Sequence, residues 1–252
     1  MSIQRVAGTG GRVALVTGAA GTMGAATAIR LAADGCQVAL VDIAADRLAD
    51  IAKRIGAAAI PIAADLSTAD GAMQAVAAAE RALGPVDILV NNAGILSNNK
   101  IAETTPEEWH RVLGINLDGA FHLSRVVLPG MKARRFGRIV NTCSYAMKSG
   151  GLTAGTAYTV SKGALQALTF SLAREFAAFG ITVNGIAPAY VKTPMVTEQL
   201  TEAQRQALIA QIPVGRFCEP EEFAHCVAFF VSPLAGFITG EILDLNGGLQ
   251  FD

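Results

Sequence analysis

The sequence is short of charge, aromatic rings, histidine and cysteine, and each shortage removes a class of function. Charged residues are 16% of the 252-residue chain, against about 25% in an average globular protein. Hydrophobic residues reach 52%, enough apolar surface to offset chain entropy, so disorder is excluded. The formal net charge is -1 and no basic tract occurs, which removes the footprint of a nucleic-acid binder. No run of about 18 uninterrupted apolar residues exists. The richest stretch, Ala224 to Thr239, is broken by Ser232-Pro233 and carries His225. A soluble protein without membrane contact is expected. Cys36, Cys143, Cys218 and Cys226 form no C-x-x-C pair, and no histidine stands at metal-ligand spacing, so no metal site is expected. They read as small buried hydrophobes in a reducing, cytoplasmic setting. Met1 to Gly11 has neither a charged n-region nor an apolar h-region, so no secretory signal is expected.

What is present is a regular alternation of short apolar runs and longer helical patterns. Arg12–Thr17, Gln37–Asp42, Ala58–Ala63, Val86–Asn91, Gly137–Cys143, Ile181–Ala187 and Ile242–Leu245 read as seven strands. Helices are expected to about Asp34, then over about Ala45–Ile55, Thr68–Leu83 and Thr156–Phe179. Another opens at Thr105-Pro106-Glu107-Glu108, an N-cap, a proline at the first helical position and early acids. Strands alternating with helices imply a parallel sheet covered on both faces. The expected fold is a single α/β domain over 1–252, Rossmann-type and doubly wound, with seven parallel strands. Ligands in such sheets bind at the carboxyl ends of the strands.

The turn after the first strand is Thr17-Gly18-Ala19-Ala20-Gly21-Thr22-Met23-Gly24. Glycines there let backbone approach a pyrophosphate, and the following helix offers free N–H groups and a positive dipole end. Asp42 ends the second strand, where a carboxylate can accept both hydroxyls of the adenosine ribose and repel a 2′-phosphate. No Arg or Lys lies in the turn or at Ile43, Ala44 and Ala45. NAD is therefore the expected cofactor.

With that turn in place, the chain resembles the short-chain dehydrogenase/reductase family, in its branch of about 250 residues. The resemblance runs through Asp65-Leu66 after strand three, Asn91-Asn92-Ala93-Gly94 after strand four and Asn116 in the next helix. It continues through Ser144, the Tyr158-Thr159-Val160-Ser161-Lys162 stretch, and Pro188 to Thr193. Three departures stand out. Thr22 replaces the middle glycine of T-G-x-x-x-G-x-G, with Gly21 one position early, so its hydroxyl is a candidate phosphate ligand. Ala189 replaces the glycine of Pro-Gly, and Ser144 lies one residue farther from Tyr158 than usual.

The resemblance implies hydride transfer between nicotinamide and a secondary alcohol or ketone, on CH–OH groups, with Tyr158 as general acid/base. A free tyrosine, with pKa about 10, is a poor base at neutral pH. Lys162, four residues on, shares its helix face, and its ammonium is expected to lower the Tyr158 pKa. By resemblance Lys162 also holds the nicotinamide ribose, Ser144 binds the substrate oxygen, and Asn116 holds a relay water. The cofactor set implied is Gly18, Gly21, Thr22, Met23, Asp42, Ile43, Asp65, Leu66, Asn92, Ala93, Gly94, Tyr158, Lys162, Val191 and Thr193. Leu96, Ser144, Tyr145, Met147, Leu152, Tyr190 and Met195 are expected to line the substrate pocket under a mobile lid, 190–216. With no charged anchor there, a neutral or mainly apolar small-molecule substrate is expected: a secondary alcohol, polyol or sugar, or hydroxyacyl group.

A 3-oxoacyl-[acyl-carrier-protein] reductase is the first alternative. Arg125, Lys132, Arg134 and Arg135 offer it a docking patch. A non-catalytic NAD-binding regulator is the second, although Tyr158, Lys162 and Ser144 are all retained. Apolar residues around Phe121–Met131 and on the Tyr158 helix (Leu165, Leu168, Phe170, Leu172, Phe176, Phe179) exceed one buried stripe. A homotetramer, or a dimer, is expected.

Overall fold

Aliphatic runs too apolar for a solvated face pair side by side in a computed structural model, which describes residues 9–194 and 201–251. The strands are β1 (Val13–Thr17), β2 (Gln37–Asp42), β3 (Ala59–Ala63), β4 (Ile88–Asn91), β5 (Gly137–Thr142), β6 (Ile181–Pro188) and β7 (Ile242–Leu245). They form one parallel sheet in the order β3-β2-β1-β4-β5-β6-β7. The order reverses between β1 and β4, which opens a crevice at their carboxyl ends. The expected seven-stranded, doubly wound sheet is therefore the observed one, with strand ends moved by one or two residues. Most of the segment read for a secretory signal, 1–8, lies outside the described residues.

Alternation along each strand splits the core into two layers. Leu15, Leu89, Ile139 and Val183 face one way, toward α3 (Ala69–Leu83), α5 (Gly119–Arg134) and α7 (Thr156–Phe176). Val16, Val90, Val140 and Ile186 face the other, toward α1 (Thr22–Ala33), α2 (Ala45–Ile55) and a late helix, Pro220–Val231. Small residues let these helices sit close: Ala72, Ala75 and Ala79 on α3 are all buried. Thr105 caps α4 (Pro106–Leu113), accepting from the Glu108 N–H, and Pro106 takes the first helical position as expected. A four-residue helix, α6 (Ala146–Ser149), lies between Ser144 and Tyr158. The described part of the segment expected as a lid, within 190–216, carries α8 (Glu202–Ile209), and the late helix is α9 (Pro220–Val231).

Two helical readings change. Between α4 and α5 the chain runs through a π-turn, Gly114–Asp118, rather than a continuous α-helix. The long helix ends at Phe176 and closes through a 3₁₀ turn, Ala177–Phe179. The surplus apolar residues are partly accounted for within the chain, since Leu165 is buried and Leu168, Leu172, Phe176 and Phe179 pack against the core. Phe121, Val160 and Phe170 remain exposed.

Phe223 on α9 is fully buried among Val227, Phe230 and the sheet. Phe223→Ala is expected to lower unfolding stability by about 3–5 kcal/mol. Denaturant unfolding at fixed protein concentration checks this, and a loss under about 1 kcal/mol would show that the layer readily collapses into the space.

Candidate active site

The turn after β1 works because two of its positions admit no side chain. Gly18 has φ +62, and a Cβ there would lie 2.9 Å from both the Asn92 side chain and the Ala93 backbone. A Cβ on Gly24 would overlap the Gly18 carbonyl. Gly21 is the N-cap of α1 in an extended conformation, and no side chain caps the helix. The first N–H groups of α1 are thus left for an anion. Asp42 closes the turn from the side: its Oδ2 accepts from Ala20 N at 3.1 Å, its Oδ1 from Ala44 N at 3.1 Å. Ile43 beside it is exposed. Asp65 accepts from the N–H and hydroxyl of Ser67, which holds its carboxyl below the usual range, and Leu66 is buried.

Thr17 joins the first turn to the turn after β4, a role the sequence reading missed because a threonine ending a strand carries no special signal. Its hydroxyl accepts from the N–H groups of Asn92 and Ala93, both at 2.9 Å, and donates to Val90 O at 3.2 Å. The Asn92 amide donates back to Thr17 O at 3.0 Å. Beneath, Asn91 donates to Asn141, and Asn141 to Thr169 on α7, both at 2.8 Å. This enclosed amide chain ties β4, β5 and α7 together. Neither Asn141 nor Thr169 was singled out from sequence.

The carboxyl ends of the strands open into a cavity of about 510 Å³. Ser144, Tyr158 and Lys162 converge there, with Asn92, Gly94, Leu96, Tyr145, Leu152, Tyr190, Val191 and Thr193 in its wall. Met147 does not line it; α6 turns that side chain away, to pack with Cys143, Leu165 and Ile242. Met195 lies outside the described residues. Leu208 on α8 reaches the cavity unforeseen, and residues 190–192 are stitched to Cys218 by backbone hydrogen bonds of 2.8 and 2.9 Å.

Lys162 is fully enclosed, and its ammonium donates to Thr142 O at 2.6 Å. Burial, with no carboxylate beside it, pulls its pKa down to about 8. Tyr158 presents one edge to the cavity while its hydroxyl is enclosed. Burial pushes that hydroxyl above its ordinary value, and a hydrogen bond with Ser144 offsets part of the rise. The expected lowering by Lys162 is thus not what this cofactor-free arrangement produces. The ammonium stands 5.7 Å from the centre of the Tyr158 ring, and burial is the largest cause acting on the hydroxyl. The Ser144 hydroxyl accepts from Ala146 N at 3.1 Å, leaving its proton to donate. Burial also lifts the Cys143 thiol to about 11, which leaves it protonated at neutral pH.

Asn116 sits in the π-turn, and its side chain is engaged on two sides. It exchanges both hydrogen bonds with the Ile95 backbone, at 2.8 and 3.0 Å, and donates to Ser161 at 3.0 Å. Ser161 donates in turn to Tyr158 O at 2.7 Å. Of the suggested carrier-docking patch, Arg134 bonds Val86 O and Arg135 bonds Ala178 O, at the amino ends of the strands and away from this cavity.

A family model described as Enoyl-(Acyl carrier protein) reductase matches residues 18–250. The chain belongs to the short-chain dehydrogenase/reductase family. It is 43% identical to an acetoacetyl-CoA reductase of Rhizobium meliloti (strain 1021), over 95% of this chain and 99% of that protein. It is 40% identical to a 3-oxoacyl-[acyl-carrier-protein] reductase of Vibrio cholerae, over 95% and 97%. A solved structure described as a short-chain alcohol dehydrogenase from Sinorhizobium meliloti 1021 superposes with TM-score 0.90 at 33% identity, covering 95% of this chain and 96% of that one. Short-chain dehydrogenase/reductases are oxidoreductases acting on a keto or hydroxy group with a nicotinamide dinucleotide. The residues present fit that cofactor: the Gly18–Gly24 cradle and the uncapped α1 would hold its phosphates, and Gly94 lines the cavity beside Lys162. A Cβ on Gly94 would stand 3.2 Å from the Asn116 oxygen and 3.4 Å from the Lys162 nitrogen.

The Lys162 ammonium has a measurable cost. Its proton leaves near pH 8 in the folded, cofactor-free protein instead of at 10.5, corresponding to on the order of 3 kcal/mol. The unfolded chain binds more protons between those pH values, so this residue destabilises the fold fully below pH 8 and less as pH rises toward 10.5. Lys162→Met is expected to raise the thermal midpoint of the cofactor-free protein at about pH 7, with a smaller gain at about pH 9.5. A variant less stable than wild type at both would contradict this.

Proposed function

We propose that this enzyme interconverts a 3-oxoacyl thioester and its 3-hydroxyacyl counterpart, with NAD(H) as the preferred cofactor. The observation that carries the substrate class is the cavity wall. Among the described residues lining it Lys162 is the one charged group, and it is enclosed; Ile95, Leu96, Tyr145, Leu152, Tyr190 and Leu208 supply apolar surface. A short acyl group with one polar carbonyl suits that wall. Two relatives named above, an acetoacetyl-CoA reductase and a 3-oxoacyl-[acyl-carrier-protein] reductase, support the same class.

The cofactor supplies or takes the hydride. Tyr158, its phenol kept protonated by burial, donates the proton to the substrate oxygen in reduction, and Ser144 donates a second hydrogen bond to that oxygen. Lys162 lies on the same helix face to bind the ribose hydroxyls and favour the phenolate left behind. Asp42 carries the cofactor preference: its carboxylate is held at the mouth of the glycine turn by Ala20 and Ala44, with no cation in that turn to receive a 2′-phosphate. Phe121 on α5 and Val160 and Phe170 on α7 are exposed, and two copies would pair through these helices, giving a dimer or tetramer. Light scattering that returns a fully active monomer would remove that part.

Initial rates with acetoacetyl-CoA, sorbitol and butan-2-ol, each with NAD(H) and NADP(H), test the reading. Acetoacetyl-CoA reduction is expected to exceed the polyol reaction by at least about 100-fold in kcat/KM. A better polyol substrate would overturn the substrate class. Asp42→Ala is expected to move the NAD/NADP ratio of kcat/KM toward NADP by about 10–100-fold, and a native preference for NADPH would overturn the cofactor assignment.

A further inference from the structure

We infer that Glu108, a carboxylate on α4 outside the cavity, is a positioning residue for the helix that carries Tyr158 and Lys162. The inference rests on the reading of Tyr158 as the proton donor. The segment 95–99, between β4 and α4, has no regular secondary structure of its own. From Leu96 onward its side chains alternate: Leu96 and Asn98 face the cavity, while Ser97 and Asn99 turn to Glu108. The Ser97 hydroxyl donates to one carboxylate oxygen, and the Asn99 amide donates to the other at 2.8 Å. These two bonds hold the Glu108 carboxyl below its usual range.

The backbone of the same two residues receives the start of α7. Gly155 N donates to Ser97 O at 2.7 Å, and Thr156 N donates to Asn99 O at 3.0 Å. They satisfy two N–H groups that a helix start otherwise leaves open. The fit is close, because a Cβ on Gly155 would overlap the Asn99 backbone. Lys100 adds a second tie from the same segment, donating to Gly151 O at 2.5 Å and Ala154 O at 2.6 Å. Tyr158 lies three residues beyond Gly155, within the first turn of the helix. Glu108 therefore sets the register of a segment whose one face shapes the cavity and whose backbone seats the reactive helix. A shift of that seat would change the approach of Tyr158 to the substrate oxygen, and a misplacement near 1 Å costs about 100-fold in rate. The glycine turn and Asp42 lie on β1, α1 and β2, which this segment does not seat, while Lys162 lies on the seated helix, so cofactor affinity is expected to fall much less than the rate.

The test compares Glu108→Ala, Glu108→Gln and Ser97→Ala with wild type and Tyr158→Phe, measuring kcat, KM, thermal midpoint and dinucleotide Kd by fluorescence titration. Glu108→Ala is expected to lower kcat by about 10-fold or more while the dinucleotide Kd stays within about twofold. Glu108→Gln is expected to recover most of the rate, since Gln keeps an acceptor for Ser97 and the Asn99 amide can turn to meet its NH₂ group. Ser97→Ala removes one bond only and is expected to lose about threefold in kcat, so the inference stays testable if the Ala variant folds poorly. A kcat unchanged in both Glu108→Ala and Ser97→Ala would overturn it. So would a Kd that weakens in step with kcat, or a Gln variant no better than Ala. Tyr158→Phe separates the two levels. If it retains more than about a tenth of wild-type rate, the underlying proton-donor reading fails; if it is inactive while Glu108→Ala is unimpaired, only the positioning role fails.

Discussion

The Lys162 ammonium lies fully enclosed against the carbonyl that ends β5, 2.6 Å from Thr142 O, with no carboxylate to neutralise it. An enclosed charge tolerates little displacement, and much of the reactive end of the molecule is arranged to keep it in place. The Asn91–Asn141–Thr169 chain fixes α7 below it, the Asn116–Ser161 bond fixes it beside the π-turn, and the segment 97–99 seats its first residues. Tyr158, one turn before Lys162, inherits that placement. Stability is lost at the lysine and function is gained: the group that costs most to bury is the one that can later stabilise a phenolate.

The same enclosure sets the acidities. Desolvation moves Lys162 down and Tyr158 up, so the two groups lie farther apart in proton affinity than in water, with the phenol the more firmly protonated. A phenol held protonated suits a donor in the reductive direction. A lysine near neutrality responds readily to a neighbouring anion, whether a phenolate or a bound ligand. The cavity above them supplies little further charge, which fits a substrate whose reacting end is a neutral carbonyl on an apolar tail.

Much of this was legible in the sequence. The short continuous apolar runs pointed to the seven strands because a parallel sheet buried on both faces accommodates such runs, and Thr105-Pro106 marked α4 by cap chemistry alone. The glycine turn, Asp42, Ser144 and the Tyr158–Lys162 spacing were visible because backbone approach and helical phase constrain residue type locally. Other features were not. The π-turn at Asn116 keeps the apolar pattern of a helix, so the extra residue leaves no periodic trace. Met147 reads like any pocket residue until α6 sets its direction. The Tyr158 shift was expected downward because spacing reveals the nearby ammonium but not the burial that pushes the hydroxyl up. Thr17, Asn141 and Glu108 looked like ordinary strand-end and first-turn residues, because their roles depend on partners that lie 50 or more positions away or across an irregular segment.

The central claim is that burial and Ser144 set the acidity of Tyr158 and that its charge is completed only beside Lys162 and the cofactor. The chain has three tyrosines, so ¹³Cζ-labelled tyrosine gives an NMR spectrum simple enough to follow each one, with Tyr158→Phe identifying the signal. Titrated without cofactor, the Tyr158 resonance is expected to hold its protonated shift beyond pH about 10, and to titrate at lower pH once the oxidised dinucleotide is bound. A Tyr158 that titrates at or below its ordinary value without cofactor, or one that cofactor binding leaves unmoved, would contradict the account.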